Sequence, residues 1–387
     1  MSDNVTPIRS AGEVPAKKRV LLGIVAAGLI LLALVLILFH EPLNLDAVGR
    51  LVRYAGAGAS EDFGRFAFDA HSSNSYAAWD NGLAVASFAG LHTMDANGRP
   101  VCTEDVSMRA PALRVGSGAL LLFDVGGSHA AVLPKGGKTP VTLDVDGSIF
   151  DADISTGNAV CIAASESGYK TVLHVYNDKQ KEIYRWFSAT RFLPLCAVSP
   201  DGRMLAAVSY GQKDGSFCCF LDLFRTNRQD PEYSVELGGG LVYDIRFLSN
   251  ERICLIGEDE IRIVRTNGET VGSFDLQSWY LSDYTAEGDG FVLTALNMYK
   301  AGNRCTVATV NADGEQIASC FVDDEILDIA AAGHYAAVLT TRELTIYRRD
   351  LTVYSRTPNV WMASGVQMRP DGTAIAVAGN SAHLYLP

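Results

Sequence analysis

Short apolar segments separated by turns follow one another along most of the chain. Past residue 60, segments rich in Val, Ile, Phe, Tyr and Ala alternate with turns rich in Gly, Asn and Asp, and almost no 3.6-residue period is present. Strands bounded by such turns are typical of β-sandwiches, barrels and propellers. The pattern predicts an all-β domain over residues 63–387.

The apolar segments recur in groups of four, with a period of about 40–45 residues. The group is clearest at 241–276, where LVYDIRFLS, ERICLIGE, DEIRIVRT and ETVGSFDL follow one another. Four antiparallel strands make up one blade of a β-propeller, so each group predicts a blade. Similar groups span 148–187, 195–237, 280–322 and 326–358, and more degenerate ones lie near 74–106 and 110–145.

The two ends of the repeat region complement each other. The final group, SGVQMRPDGTAIAVAGNSAHLYLP, has only three strands, whereas FGRFAFDA at 63–70 is an isolated strand before the first group. Pairing the two would complete the last blade and leave no open sheet edge at the junction. This count predicts an eight-bladed propeller of four-stranded blades closed by an N-terminal strand. Seven blades, or a pair of β-sandwiches, are the alternatives.

One long apolar segment precedes the repeats. VLLGIVAAGLILLALVLILF, residues 20–39, has no charged or polar side chain, and twenty helical residues span about 30 Å, the thickness of a bilayer core. No small-x-small cleavage site follows it, so we predict one uncleaved transmembrane helix. Lys17, Lys18 and Arg19 precede the helix, and the positive-inside rule then places the polar, disordered tail 1–19 in the cytoplasm. The linker 40–62 and the β-domain would lie outside a cell membrane crossed once.

Turn motifs complete the resemblance to known proteins. PDG tripeptides at 200–202 and 370–372 lie between the first and second strands of their groups, where a tight turn favours Pro, Asp and Gly. With its anchor and eight four-stranded groups, the chain resembles a family of bacterial membrane-anchored β-propeller proteins of unassigned function. The resemblance covers nearly the whole chain and implies an architecture without an activity. The repeated WD and GG pairs of WD40 and kelch propellers are absent.

Charge and motif content exclude several classes of function. The chain has 32 basic and 44 acidic residues, a net charge of −12, and an acidic domain repels phosphate backbones, so no nucleic-acid partner is predicted. No GxSxG, HExxH, P-loop or dinucleotide-binding fingerprint occurs. We therefore predict no cofactor and no enzymatic activity, and none of these motifs identifies a metal site.

The eight cysteines contain no CxxC motif, which argues against a zinc ribbon or a thioredoxin-like site. Cys305 and Cys320 flank the turn NADG at 311–314 symmetrically. They would face each other across a hairpin, and a disulfide there is compatible with an extracytoplasmic setting. Two free thiols in the core are the other interpretation.

Four aspartates share one position when the groups are aligned, near the start of the innermost strand. Innermost strands line the channel of a propeller, so the four carboxylates would lie around one channel mouth. One interpretation is a site for a cation or a cationic ligand; the other is that each carboxylate accepts backbone N–H groups. The residues are Asp151, Asp244, Asp283 and Asp328.

Aromatic residues concentrate where the outermost strand of one blade leads to the innermost strand of the next, and these connections cross one face of a propeller. Such a face suits contact with a peptide or glycan, although large rings also wedge between blades. The candidate partner residues are Trp186, Phe187, Arg191, Phe192, Trp279, Tyr280, Trp361 and Met362.

These observations favour a cell-envelope binding or scaffolding protein. The membrane would be contacted through one helix, and the propeller would be presented to an envelope protein, a peptide or a wall polymer. The alternative is an envelope hydrolase that uses carboxylates at the channel mouth, such as Asp244 and Asp283, since glycosidases need two carboxyl groups at a defined separation.

Overall fold

The computed structural model describes residues 45–54, 62–276, 278–299, 304–360 and 362–387. The chain divides into two compact units, residues 1–51 and 52–387. One helix, α1 (Leu45–Tyr54), lies within the segment predicted as a linker. Asp46 in its first turn and Arg53 in its last turn complement the helix dipole.

The predicted membrane anchor at 20–39 lies outside the described residues. None of the helices in the described ranges is both long and apolar enough to span a bilayer.

The second unit contains eight four-stranded antiparallel sheets, which confirms the prediction of eight blades over the alternative of seven. Seven blades use four consecutive strands, and the eighth combines the last three strands with the first. The strands up to the end of the fourth blade are β1 (Arg65–Ala67), β2 (Ser75–Trp79), β3 (Gly82–Ser87), β4 (Gly90–Met94), β5 (Pro100–Asp105), β6 (Pro111–Val115), β7 (Ala119–Asp124), β8 (Ala130–Pro134), β9 (Val141–Thr142), β10 (Ile149–Ile154), β11 (Val160–Glu166), β12 (Tyr169–Tyr176), β13 (Glu182–Ser188), β14 (Phe192–Val198), β15 (Met204–Lys213), β16 (Ser216–Arg225) and β17 (Tyr233–Gly238).

Blades five to eight follow in the same way, each beginning with its innermost strand. Their strands are β18 (Val242–Ser249), β19 (Arg252–Gly257), β20 (Glu260–Arg265), β21 (Thr270–Asp275), β22 (Tyr280–Gly288), β23 (Phe291–Asn297), β24 (Cys305–Asn311), β25 (Gln316–Val322), β26 (Ile326–Ala332), β27 (Tyr335–Thr340), β28 (Glu343–Arg348), β29 (Val353–Pro358), β30 (Gly365–Met368), β31 (Ala374–Ala378) and β32 (Ser381–Tyr385).

The core lies between neighbouring blades. Buried side chains form eight clusters, and each cluster joins two adjacent sheets, including the eighth and the first. The second strands β3, β7 and β27 are buried at every residue because both of their faces pack against another blade. Because both faces of these strands are buried, their sequences are continuous apolar runs in which apolar and polar residues do not alternate.

The ring closes through β1, as the isolated strand predicted. It pairs antiparallel with β32, with Phe66 opposite Ala382, and Phe66 is 1% exposed. A second link comes from the buried Arg369 in the PDG turn of the eighth blade. Its guanidinium donates hydrogen bonds to the carbonyl oxygens of Trp79, Asp80 and Gly82 in the first blade.

The register of the sixth blade corrects the predicted facing of Cys305 and Cys320. Cys305 lies opposite Val322, and Cys320 lies opposite Val307. A register shift beside the NADG turn, between Thr309 and Val310, displaces the two strands, so the cysteines are diagonal neighbours and not partners. Both carry free thiols, as do the other six cysteines.

Candidate functional site

The four aligned aspartates share a local backbone feature. In each of their blades the pairing between the innermost and second strands shifts register immediately before the aspartate. Such a bulge removes regular ladder hydrogen bonds, and in each blade the carboxylate Oδ1 accepts the N–H of the following residue at 2.8–2.9 Å. The aspartates are Asp151, Asp244, Asp283 and Asp328.

In three of the four blades the other carboxylate oxygen reaches the innermost strand of the next blade. A carboxylate that accepts N–H groups from two strands holds adjacent blades together at the channel. This geometry agrees with the interpretation that each aspartate binds backbone, although the second bond goes to the next blade and not to the incoming connection. The donors are the N–H of Cys196 to Asp151 (3.1 Å), of Ile329 to Asp283 (3.3 Å) and of Val366 to Asp328 (2.6 Å).

Asp244 instead takes part in a charged cluster inside the channel. Its Oδ2 lies 3.3 Å from Nη2 of Arg246, and Nη1 of Arg246 lies 3.6 Å from Oδ1 of Asp153. Arg246 is only 9% exposed. Sequence reasoning missed Arg246 and Asp153, although residues two apart in a strand share one face, so the pairs Asp244–Arg246 and Asp151–Asp153 carried the signal.

Burial and ion pairing shift the pKa values of the charged groups in this cluster in opposite directions. Burial raises the pKa of Asp151 to about 6, although Arg246 opposes the shift, and burial likewise raises the pKa of Asp153. Burial alone would lower the pKa of Arg246, but Asp244, Asp153 and Asp151 together hold it above its usual value. Arg246 therefore stays charged and is the counter-ion for these carboxylates.

Asp283 and Asp328 form a second group. The N–H of Ile329 donates to Oδ1 of Asp328 at 2.9 Å and to Oδ2 of Asp283 at 3.3 Å, which brings the two carboxylates side by side. Burial raises the pKa of Asp328 to about 7; the N–H of Val366 opposes the shift and the charge of Asp283 reinforces it. Burial also raises the pKa of Asp283.

The structure thus separates the four predicted carboxylates into two groups. Within the described part of the chain, no three His, Cys, Asp or Glu side chains converge in a way that would hold a metal ion.

The cavities at the two ends of the channel differ in volume and in the residues that line them. Where the innermost strands end, a cavity of about 280 Å³ is lined by residues of all eight blades, Arg114, Asp153 and Arg246 among them. Where they start, a cavity of about 570 Å³ is lined by blades seven, eight and one.

One face of the propeller carries nearly all the exposed aromatic side chains. We call it the aromatic face: it consists of the connections between successive blades, the turns between second and third strands, and the strand ends that adjoin them. Nine of the ten aromatic side chains that are exposed among the described residues lie there, and the tenth, Tyr233, lies on the opposite face. The nine are Phe88, Tyr169, Phe187, Phe192, Phe217, Tyr243, Tyr280, Tyr299 and Phe321.

The predicted partner residues divide into exposed and packed ones. Phe187, Phe192 and Tyr280 are exposed, and Met362 is 88% exposed. Trp361 lies outside the described residues.

The two described tryptophans of the set wedge against the core. Trp186 packs on the ring of Phe224, with ring centroids 4.9 Å apart, and Trp279 packs against the cluster between blades five and six. Both are therefore part of the packing that supports the aromatic face.

Arg191 has a buried partner that the sequence did not reveal. Its Nη1 lies 2.9 Å from Oδ2 of Asp222, whose side chain is fully buried. Ser209 and Ser234 also donate hydrogen bonds to Asp222. This network ties the connection before blade four to three strands of that blade.

Solved structures with a similar fold are propellers. The crystal structure of BamB from Moraxella catarrhalis is 12% identical over 83% of this chain and 99% of its own, with a TM-score of 0.51. The C-terminal WD40 domain of Sif2 is 12% identical over 83% of this chain and 97% of its own, with a TM-score of 0.55. At this level of identity the likeness establishes the fold alone. No curated protein matches the sequence.

The family assignment comes from a profile that spans most of the repeat region. It matches residues 64–354, from the closing strand into the last strand of the seventh blade. With the propeller fold established, the chain belongs to the family of unknown function DUF5711.

Proposed function

We propose that this protein is a cell-envelope scaffold that binds a protein partner through its aromatic face. The apolar segment 20–39 would anchor it in the membrane, with the propeller outside the cytoplasm. The observation that carries the proposal is that nine of the ten aromatic side chains exposed in the described part of the chain lie on one face. Aromatic side chains bury large areas on binding and dominate the energetics of interfaces.

Several of these rings are held in place before any partner binds. Tyr169 contacts Phe187 with ring centroids 4.7 Å apart, and Phe150 contacts Phe192 at 4.6 Å. Rings fixed by a neighbour lose little conformational entropy on binding, which favours affinity. Blades three and four are therefore the strongest part of the proposed interface.

The fold supports the same proposal. BamB and the WD40 domain of Sif2 share the propeller architecture, and a closed ring with eight inter-blade cores offers a rigid platform for recognition. Of the two carboxylates of the alternative hydrolase, Asp244 is already engaged in an ion pair with Arg246. Partner binding therefore explains more of the arrangement of these side chains than a hydrolase site does.

The test is partner capture from membranes by the full chain in neutral detergent. We expect the triple variant Phe187→Ser, Phe192→Ser and Tyr280→Ser to reduce specific capture at least tenfold, because all three side chains are exposed and their loss leaves the core intact. Tyr233→Ser is the matched control, since Tyr233 is 38% exposed on the opposite face. Equal capture by the triple variant and the wild type would refute the proposal.

A further inference from the structure

The cavity of about 570 Å³ opens on the aromatic face, between blades seven, eight and one. It is formed by the segment that leads from β1 into β2, the start of β26, the start of β30 and the turn after β31. Its volume is in the range of pockets that hold small ligands, so it has room for a side chain with flanking backbone. Among its lining residues are His71, Asn74, Tyr76, Asp328 and Ser364.

Asp328 is the carboxylate of this cavity, and it lacks a cationic partner there. Its two oxygens accept one backbone N–H each, from Ile329 and Val366, and every carboxylate oxygen can accept a second hydrogen bond. The lining residues, all within the described part of the chain, include no lysine or arginine. His71, the one basic group among them, is hydrogen-bonded to Ser73 at 2.7 Å, and its ring contacts that of Phe88 with centroids 4.8 Å apart.

A second negative charge lies directly behind Asp328. Asp283 shares the N–H of Ile329 with it, and the two carboxylates repel each other in a partly buried setting. The connection that leads into β26 carries Asp323, Asp324 and Glu325 on the same face; Asp323 pairs with Arg304 at 3.7 Å and Asp324 pairs with Arg342 at 3.8 Å, so the uncompensated charge at the cavity is that of Asp328 and Asp283. A positively charged group in the cavity would relieve this repulsion, whereas an anion would increase it.

We infer that this cavity receives a lysine or arginine side chain of the partner that binds the aromatic face, with Asp328 as its counter-ion. The inference rests on the proposed function and adds the chemistry of the partner's anchoring residue. The raised pKa of Asp328, about 7 through burial and Asp283, agrees with a carboxylate that is short of positive charge.

Saturation-transfer NMR on the full chain in neutral detergent tests the inference with three peptides. Each is an acetylated and amidated Gly-Ser peptide with one central residue: lysine, arginine or norleucine. We expect the lysine and arginine peptides to bind at least fivefold more tightly than the norleucine peptide. Asp328→Asn should remove this preference, whereas Asp146→Asn, the same charge change at an exposed site on the same face, should leave it within twofold.

Two further measurements guard against a misfolded variant. Ser364→Lys places an ammonium group on the exposed rim of the cavity and should compete with the lysine peptide while the circular dichroism spectrum stays unchanged. Affinity of the wild type for the lysine peptide should rise about tenfold from pH 6 to pH 8, because a cation binds the ionised form of a group with a pKa near 7. His71→Gln should keep this rise, and Asp328→Asn should abolish it.

Equal binding of lysine and norleucine peptides, or an unaffected Asp328→Asn variant, would overturn the inference. The proposed function fails separately, if the aromatic triple variant captures its partner as well as the wild type does.

Discussion

At the scale of single residues, the channel shows how a propeller carries charge in its interior. A charge that is buried without a partner costs several kcal/mol, so an aspartate at the start of an inner strand requires donors. The fold supplies these donors in the same way in four blades. A bulge precedes each of the four aspartates, and the N–H of the following residue donates a hydrogen bond to its Oδ1. Asp244 in VYDIRF adds Arg246, two residues on, as a counter-ion.

Removal of Arg246 should destabilise the fold. In Arg246→Leu, Asp244 and Asp153 lose their ion pair inside the channel, and we expect the free energy of unfolding to fall by about 3–5 kcal/mol. Denaturant unfolding followed by tryptophan fluorescence measures the change. Arg265→Ala in the same blade is the control, because its pair with Glu269 is exposed and its loss should change stability by less than about 0.5 kcal/mol. Similar effects of the two substitutions would contradict the assignment.

The raised pKa values predict the sign of the pH dependence. The pKa of Asp328, about 7, and of Asp151, about 6, exceed the ordinary aspartate value of about 3.9. Between the ordinary pKa and the raised pKa of each aspartate, the folded state holds more protons than the unfolded chain. The contribution of Asp328 and Asp151 to stability is therefore present at pH 4 and is lost as pH rises towards 7.

Asp328→Asn should therefore flatten the dependence of unfolding free energy on pH, by up to about 1.4 kcal/mol per pH unit between pH 5 and 7. Urea unfolding at four pH values measures the slope, with Asp146→Asn as the exposed control. An unchanged slope in Asp328→Asn would show that this carboxylate does not titrate in the expected range.

At the scale of elements, a three-residue strand performs the closure of the whole ring. β1 pairs with β32 and inserts Phe66 into the cluster between the eighth and the first blade. The guanidinium of Arg369 joins the same two blades, and Arg53 at the end of α1 contacts Asp371 at 2.5 Å in the same turn as Arg369. The junction between the first and the last strands of the propeller is thus held by packing, sheet pairing and ion pairing together.

We expect Phe66→Ala to lower the unfolding free energy by about 3–5 kcal/mol, because it leaves a cavity at a fully buried site. Arg65→Ala, the exposed neighbour in the same strand, should have an effect below about 0.5 kcal/mol. Limited proteolysis should also cleave the first and eighth blades of Phe66→Ala before the others. Loss of stability without this local protection change would show that β1 does not close the ring.

At the scale of the whole molecule, the acidic charge of the chain and its apolar N-terminal segment are the basis of the proposed location. The net charge of −12 disfavours nucleic acid and favours basic partners. In the proposed topology, the Lys17–Arg19 run before the apolar segment would orient the anchor with the propeller outside.

Protease added to intact spheroplasts tests this topology. We expect digestion of the propeller region while a cytoplasmic marker protein survives, and full protection would exclude the proposed orientation. A variant without residues 1–40 is the matched control, and it should leave the membrane fraction, because the only long apolar segment of the sequence has been removed.

The sequence by itself predicted eight blades, their order and the strand that closes the ring, because these depend on local patterns of apolar runs and turns that repeat along the chain. The structure excluded the alternatives of seven blades and of a pair of β-sandwiches. It also located the four aspartates at equivalent positions. It did not reveal the register of Cys305 and Cys320, since a bulge beside a turn shifts a strand without a clear change in pattern. It missed Asp222 and Arg191 as partners, because strands far apart in sequence bring them together.

Only the tertiary structure decided which similar residues share an environment. The four aspartates look alike in sequence, yet Asp151 and Asp244 lie with Arg246, while Asp283 and Asp328 lie side by side next to an open cavity. The aromatic positions divide in the same way, into Trp186 packed on Phe224 and Phe187 in solvent. Burial and charge pairing depend on the neighbouring blade, and that neighbour is set by the closed ring and not by adjacent residues.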